Sequence, residues 1–193
     1  MIRETILTSV SASGRVHIAP LGIIAAGGEE TGRWIVAPFR PSTTLVNIEE
    51  TGFAVANYTD DVLIFAGCLT GRKDWPLVPL DGCPAPRLAA ALAHDVLQVE
   101  HVEDDAVRPR FHCRVAASGA HAPFAGMNRA RAAVLELAIL ASRLTMLPRR
   151  KVEDEIAYLQ IAVDKTAGPR ERQAWDWLMD RIAAFYRDDG AGA

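Results

Sequence analysis

The chain changes its hydrophobic rhythm once, near residue 126. Before that point apolar residues come in short runs broken by turn residues. Glu4–Val10 (ETILTSV) and Arg15–Ile24 (RVHIAPLGII) flank the stretch Ser11–Gly14 (SASG), which predicts two extended segments joined by a tight turn. Arg33–Phe39 (RWIVAPF) and Phe53–Tyr58 (FAVANY) read as further strands, as does the apolar run Leu63–Leu69 (LIFAGCL). A proline-rich excursion covers Trp75–Pro86, and Arg87–Asp95 (RLAAALAHD) predicts a short helix. Val96–Asp104 and Arg110–Ser118 are the last extended runs, joined by a charged turn. Roughly six or seven short strands with little helix predict a mainly β barrel or sandwich.

After residue 126 the period becomes helical. Ala130, Ala133, Val134, Leu137, Leu140, Ala141 and Leu144 share one face of a helix that Pro148 ends. Val152, Ile156, Leu159 and Val163 line a second helix, and Trp175, Leu178, Ile182 and Phe185 a third. Gly168-Pro169 separates these two as a stop followed by a start, with proline at the first helical position. The expected organisation is a β unit over residues 1–125 and a three-helix segment over 126–193 that packs on the barrel or on a partner chain, with a tail from Asp188 that frays.

Half the residues are hydrophobic and the net charge is −3, which suits a globular protein and lacks the basic stripe of a general nucleic-acid binder. No apolar run reaches the roughly 20 residues of a membrane-spanning helix, and Met1–Val10 lacks signal-peptide architecture. Cys68, Cys83 and Cys113 are odd in number and widely spaced, which fits a reduced, cytoplasmic protein and argues against a cysteine metal site.

One stretch combines several anion-binding features: Arg40-Pro41-Ser42-Thr43-Thr44-Leu45-Val46-Asn47-Ile48-Glu49-Glu50-Thr51-Gly52. Leu45 and Ile48 share one face of a short helix, Ser42 or Thr43 can cap its start, and Gly52 suits the left-handed position past its end. Such a helix start offers unpaired N–H donors and a partial positive charge, and Arg40 and the hydroxyls add donors suited to phosphate. The same residues also serve as an ordinary cap with no ligand.

Other stretches carry weaker signals. In Arg15–Gly22, Pro20 cannot donate to a ladder and belongs at an edge or bulge, where a flat ligand could lie against the main chain. Asn57 and Tyr58 end a strand with polar groups, Asn57 offering a paired donor and acceptor or plain turn chemistry. Arg129 and Arg131 stand in the first turn of a helix, where a cation opposes the dipole; either an external anion or a surface ion pair would compensate them. Trp175 and Trp177 read as core or interface. No Walker loop, dinucleotide-binding glycine motif, nucleophile elbow or histidine metal-ligand spacing occurs.

The succession ETILTSVSASGRVHIAPLGI, RPSTTLVNIEETGFAVANYTDD, MNRARAAVLELAILASRL and KTAGPRERQAW resembles an uncharacterised family of FMN-binding split-barrel proteins. That family is related to flavin reductases and occurs in archaea and in bacteria with tetrahydromethanopterin-linked one-carbon metabolism. The resemblance covers nearly the whole chain and implies an FMN-binding split β-barrel with an appended C-terminal helical segment. It implies that Arg40, Ser42, Thr43 and Thr44 hold the FMN phosphate. The stretch His17, Ala19, Pro20, Leu21 and Gly22 would lie against the ring through backbone groups. Asn57 and Tyr58 would border the ribityl chain or ring, and Asn128 or Arg129 would reach the cofactor from the helical segment. It further implies a homodimer with flavin at the subunit interface, and either a flavin-dependent oxidoreductase on a small, pterin-like substrate, with His17 as candidate acid, or a non-catalytic flavin-binding electron carrier.

Overall fold

In the computed structural model, which describes residues 1–28 and 31–190, the chain forms two compact units. The first comprises residues 1–59 and 74–124, the second residues 60–73 and 125–193.

The first unit is a six-stranded closed barrel in the order β1-β2-β3-β8-β7-β4, with the hairpin β5-β6 beside it. Its strands are β1 (Ile2–Val10), β2 (Val16–Ala25), β3 (Arg33–Val36), β4 (Phe53–Tyr58), β5 (Leu77–Leu80), β6 (Cys83–Leu88), β7 (Ala93–Glu103) and β8 (Arg110–Ala120), and α1 (Thr43–Thr51) joins β3 to β4. Alternation assigns the faces. Leu7, Ile23, Trp34, Val36, Ala54, Ala56, Leu97, Phe111 and Cys113 fill the interior together with Leu45 and Ile48 of α1. The alternate residues Val10, Val55 and Val96 point outward and are covered by Ala85 of β6.

The second unit holds α2 (Val62–Leu69), α3 (Arg129–Ala141), α4 (Arg149–Thr166) and α5 (Pro169–Gly190). Residues 63–69, expected as a strand, are helical. Asp61 caps this helix by accepting from the N–H of Leu63, and Val62 to Cys68 are all buried. An apolar run of this length carries no readable period, and a helix apolar on every side must be enclosed; α3 and α5 pack against it. The short helix expected over residues 87–95 is also absent: this stretch is the end of β6, a turn and the start of β7, and the N–H of Leu88 donates to Asn57 Oδ1. The proline-rich excursion contains the β5-β6 hairpin. The first long helix stops at Ala141, before Pro148, which instead precedes α4. The last helix begins at Pro169, as the sequence predicts, and runs to Gly190, into the tail expected to fray; residues 191–193 lie outside the described ones. No helix among the described residues is long and apolar enough to cross a membrane.

Candidate functional site

The barrel is split along one seam. β2 pairs with β1 over its whole length, from Val10↔Val16 to Ile2↔Ile24, but with β3 only at Ile24↔Ile35 and Ala25↔Trp34. Beyond Val36 the chain leaves the ladder toward α1, so the edge of β2 from Val16 to Ile23 has no strand partner on that side among the described residues. Pro20, which cannot donate to a ladder, stands in this half-paired stretch. His17, Ala19 and Leu21 share the interior-facing parity of Ile23, while Pro20 and Gly22 face outward. A β-carbon at Gly22 would lie 2.8 Å from Ile2 Cγ2, the movable end of an exposed side chain.

The start of α1 follows the departing strand. Ser42 is its N-cap: the backbone is extended there and Oγ accepts from Leu45 N at 3.3 Å. Gly52 closes the helix in the left-handed region, φ 72°, and its N–H donates to Ile48 O. No acidic residue occupies the first turn. The N–H groups of Thr43 and Thr44 meet no acceptor among the described residues, and neither do their hydroxyls, although Thr44 is only 5% exposed. Asn47, one turn on, is buried and donates to Ser9 Oγ at 3.0 Å, opposite His17 in the β1-β2 register. Arg40 is spent within the protein. Its Nη2 faces Asp104 at 3.2 Å and Glu49 at 3.5 Å, and its Nε donates to Asp105 O.

The two polar residues closing β4 separate. Asn57 is fully buried on the outer face, where Nδ2 donates to Ile6 O, Thr8 Oγ1 and Val55 O and Oδ1 accepts from Leu88 N; its amide joins β1, β4 and β6. Tyr58 faces the interior. Its hydroxyl donates to Asp95 Oδ2 at 2.6 Å, Asp95 Oδ1 accepts from Ser118, and the Arg3 guanidinium lies 5.6 Å from the Tyr58 ring and 5.1 Å from that of Trp34. Burial, then the hydrogen bond to Asp95, pushes the Tyr58 phenol above its ordinary range.

Beside Asn57 on the outer face lies a pair with no motif in the sequence. His94 Nδ1 and His121 Nε2 are 2.8 Å apart, with the rings stacked at 8°. Gly119 makes room for it, since a β-carbon there would stand 2.7 Å from His94 Cε1. Burial and the neighbouring His121 and Arg87 lower the His94 pKa.

In the helical unit, Asn128 caps α3: Oδ1 accepts from Ala130 N and Arg131 N, and Nδ2 donates to Thr166 O. Arg129 is exposed at the first helical position. The first-turn cation Arg131 is compensated internally, by Glu171 at 3.0 Å and by Asp60. The structure thus gathers Arg40–Thr44 at one helix start and His17–Gly22 on one strand, while Asn57 and Tyr58 serve the separate arrangements described above, Asn128 caps α3 and Arg129 is exposed beside it.

A family model described as the N-terminal domain of a protein of unknown function, DUF447, matches residues 3–122, and a second, described as protein of unknown function DUF447, matches residues 128–180. Among solved structures, the chain is similar to an FMN-bound DUF447 protein of Methanosarcina mazei, with a TM-score of 0.78 and 20% identity over 93% of this chain and 94% of that one. It is also similar to flavoredoxin of Methanosarcina acetivorans (TM-score 0.53, 13% identity, 62% of this chain and 69% of that one). The third is the 2-nitrobenzoate 2-nitroreductase of Pseudomonas fluorescens (TM-score 0.51, 20% identity, 61% of this chain and 64% of that one). These likenesses establish the split-barrel fold. No curated protein matches the chain by sequence.

Proposed function

The chain belongs to the DUF447 family, and from that premise we propose that it is an FMN-binding flavoprotein that acts as an oxidoreductase on a small substrate. The observation that carries this reading is the start of α1: two N–H groups and two threonine hydroxyls without acceptors among the described residues, at the positive end of a helix with no acid in its first turn. That donor set fits a phosphate monoester. The FMN-bound Methanosarcina relative supports the same cofactor here.

In this reading Thr43 and Thr44 bind the phosphate, Ser42 holds the helix start in register, and Arg40 adds a nearby cation whose charge Glu49 and Asp104 already reduce. The half-paired edge of β2, from His17 to Gly22, offers its main chain to the ring. Bound flavin would supply the redox chemistry, accepting a hydride from one partner and passing electrons to another. His17, on the interior-facing parity opposite Ser9, is the residue of this strand able to give or take a proton near neutral pH. Asn57 and Tyr58 act behind the site, Asn57 by fixing β4 against β1 and β6. From the family resemblance, the substrate is pterin-like and linked to tetrahydromethanopterin-dependent one-carbon metabolism, and Arg129, exposed at the start of α3, reaches the cofactor in a homodimer.

Enzyme and electron carrier are separated by reduction kinetics. The FMN-loaded protein is mixed anaerobically with NADH or NADPH and bleaching of the flavin band is followed. An oxidoreductase bleaches faster than free FMN at the same concentration, and His17→Gln slows reduction or reoxidation by about 100-fold if His17 moves a proton. Bleaching no faster than free FMN with either donor contradicts the enzymatic reading and leaves the carrier. Unchanged rates and pH profile in His17→Gln remove its chemical role.

A further inference from the structure

One buried amide lies between the two halves of the proposed cofactor site. Thr44 and Asn47 are three residues apart on α1 and so share a flank of the helix, and both are buried, at 5% and 2% exposure. At a rise of about 1.5 Å per residue, Asn47 stands roughly 4.5 Å further along the axis than Thr44. Its Nδ2 donates to Ser9 Oγ at 3.0 Å, and Ser9 is the β1 partner of His17 on the half-paired edge of β2. A molecule that reaches from the start of α1 to that edge runs past this amide. One turn further on, Glu50 Oε2 accepts from Ala12 N at 2.7 Å, in the turn between β1 and β2. Two ties, at Asn47 and Glu50, hold the helix against the hairpin and keep the amide in one place.

The bond to Ser9 uses only part of the amide. Asn47 Oδ1 accepts from no donor among the described residues, although the side chain is almost wholly buried. A buried acceptor without a donor carries the full penalty of its lost water, so the position calls for a group from outside the chain. The role of Asn47 in the fold accounts for Nδ2, through Ser9, and not for Oδ1. A carboxylate or a fully ionised phosphate only accepts and cannot serve Oδ1, whereas a hydroxyl donates to an amide oxygen and accepts from an amide N–H. The chemistry that suits this position is a polyol, and the part of FMN between phosphate and ring is one.

We propose that Asn47 binds a hydroxyl of the flavin's ribityl chain through Oδ1, with Ser9 fixing the amide for that contact. The inference rests on the reading of this region as a flavin site, and adds to it a residue that recognises the polyol rather than the phosphate. The test titrates the flavin-free full chain with FMN, with riboflavin, and with lumiflavin, which keeps the ring and lacks the polyol. It compares the wild-type chain with Asn47→Leu/Ser9→Ala, in which both members of the pair become apolar and no buried partner is orphaned. The double variant should lose about three- to tenfold in affinity for both FMN and riboflavin and bind lumiflavin unchanged. Ser9→Ala alone, which leaves Oδ1 in place, should lose less. Should the double variant unfold, the side-chain amide resonances of Asn47 in the wild-type chain carry the same test, moving further with riboflavin than with lumiflavin. A common loss for all three flavins means a purely structural amide, unchanged riboflavin affinity means that water holds Oδ1, and the full loss in Ser9→Ala places the contact on the serine. Each of these, or amide resonances that the two flavins move equally, overturns the proposal. Equal wild-type affinity for FMN and riboflavin is a different failure: it removes the phosphate from the start of α1, while a riboflavin affinity that depends on Asn47 still upholds the ribityl contact.

Discussion

Glu171 shows how the helical unit uses a buried charge. It is 8% exposed, yet its carboxylate accepts from Arg131 Nε at 3.0 Å and from Gly168 N at 3.0 Å. Burial pushes its pKa up, but the Arg131 hydrogen bond and charge and the backbone donors outweigh this and hold the carboxyl below its ordinary range. A folded-state pKa below the unfolded one means that the unfolded chain binds more protons as pH falls. This contribution to stability is therefore complete above the unfolded carboxylate value, near 4.3, and is lost as pH drops through the lower folded value. Urea unfolding at about pH 6 and about pH 3.5 should show a smaller loss of stability in Glu171→Gln than in the wild-type chain. Equal losses would place the acid sensitivity elsewhere. Glu171 and Arg131 stand 40 residues apart, so the sequence offers an uncompensated cation and no sign of its partner. The His94–His121 pair is silent in the sequence for the same reason: strand register brings the rings together, and spacing does not announce it.

Among elements, α1 was legible almost to the residue, because capping is local chemistry. The Ser42 hydroxyl, the apolar pair Leu45 and Ile48, and Gly52 each occupy the position their chemistry favours. Replacing Ser42 with alanine leaves Leu45 N without its acceptor and should cost about 1 kcal/mol in denaturant unfolding. A loss near zero would mean that this cap adds nothing to the fold. The half-paired stretch of β2 was also foreshadowed, since Pro20 can stand only at an edge or irregularity. The sequence of α2 reads as a strand because its apolar residues run all round, and the pattern that tells helix from strand needs a polar face. Residues 87–95 differ in the opposite sense: their alanines favour helix, but the buried Asn57 oxygen and the β4-β7 ladder hold the chain extended.

For the whole molecule, α4 presents apolar side chains at the surface. Only Val152 and Val163 of its 18 residues are buried, while Tyr158 is 76% and Ile161 47% exposed on the same side. Apolar groups arranged this way fit a self-association face. The proposed homodimer should sediment as a dimer at micromolar concentration, and Ile161→Asp with Tyr158→Asp should shift it toward monomer. A wild-type chain that sediments as a monomer would contradict it.

The central claim is that the start of α1 holds the phosphate of FMN. It is tested most directly by titrating the flavin-free protein with FMN and, separately, with riboflavin, which lacks the phosphate, in the wild-type chain and in Thr43→Val/Thr44→Val. The wild-type chain should take up FMN at least about tenfold more tightly than riboflavin, and the double variant should lose about that factor for FMN while binding riboflavin unchanged. Equal affinity of the wild-type chain for the two flavins, or FMN affinity unchanged in the double variant, would contradict it.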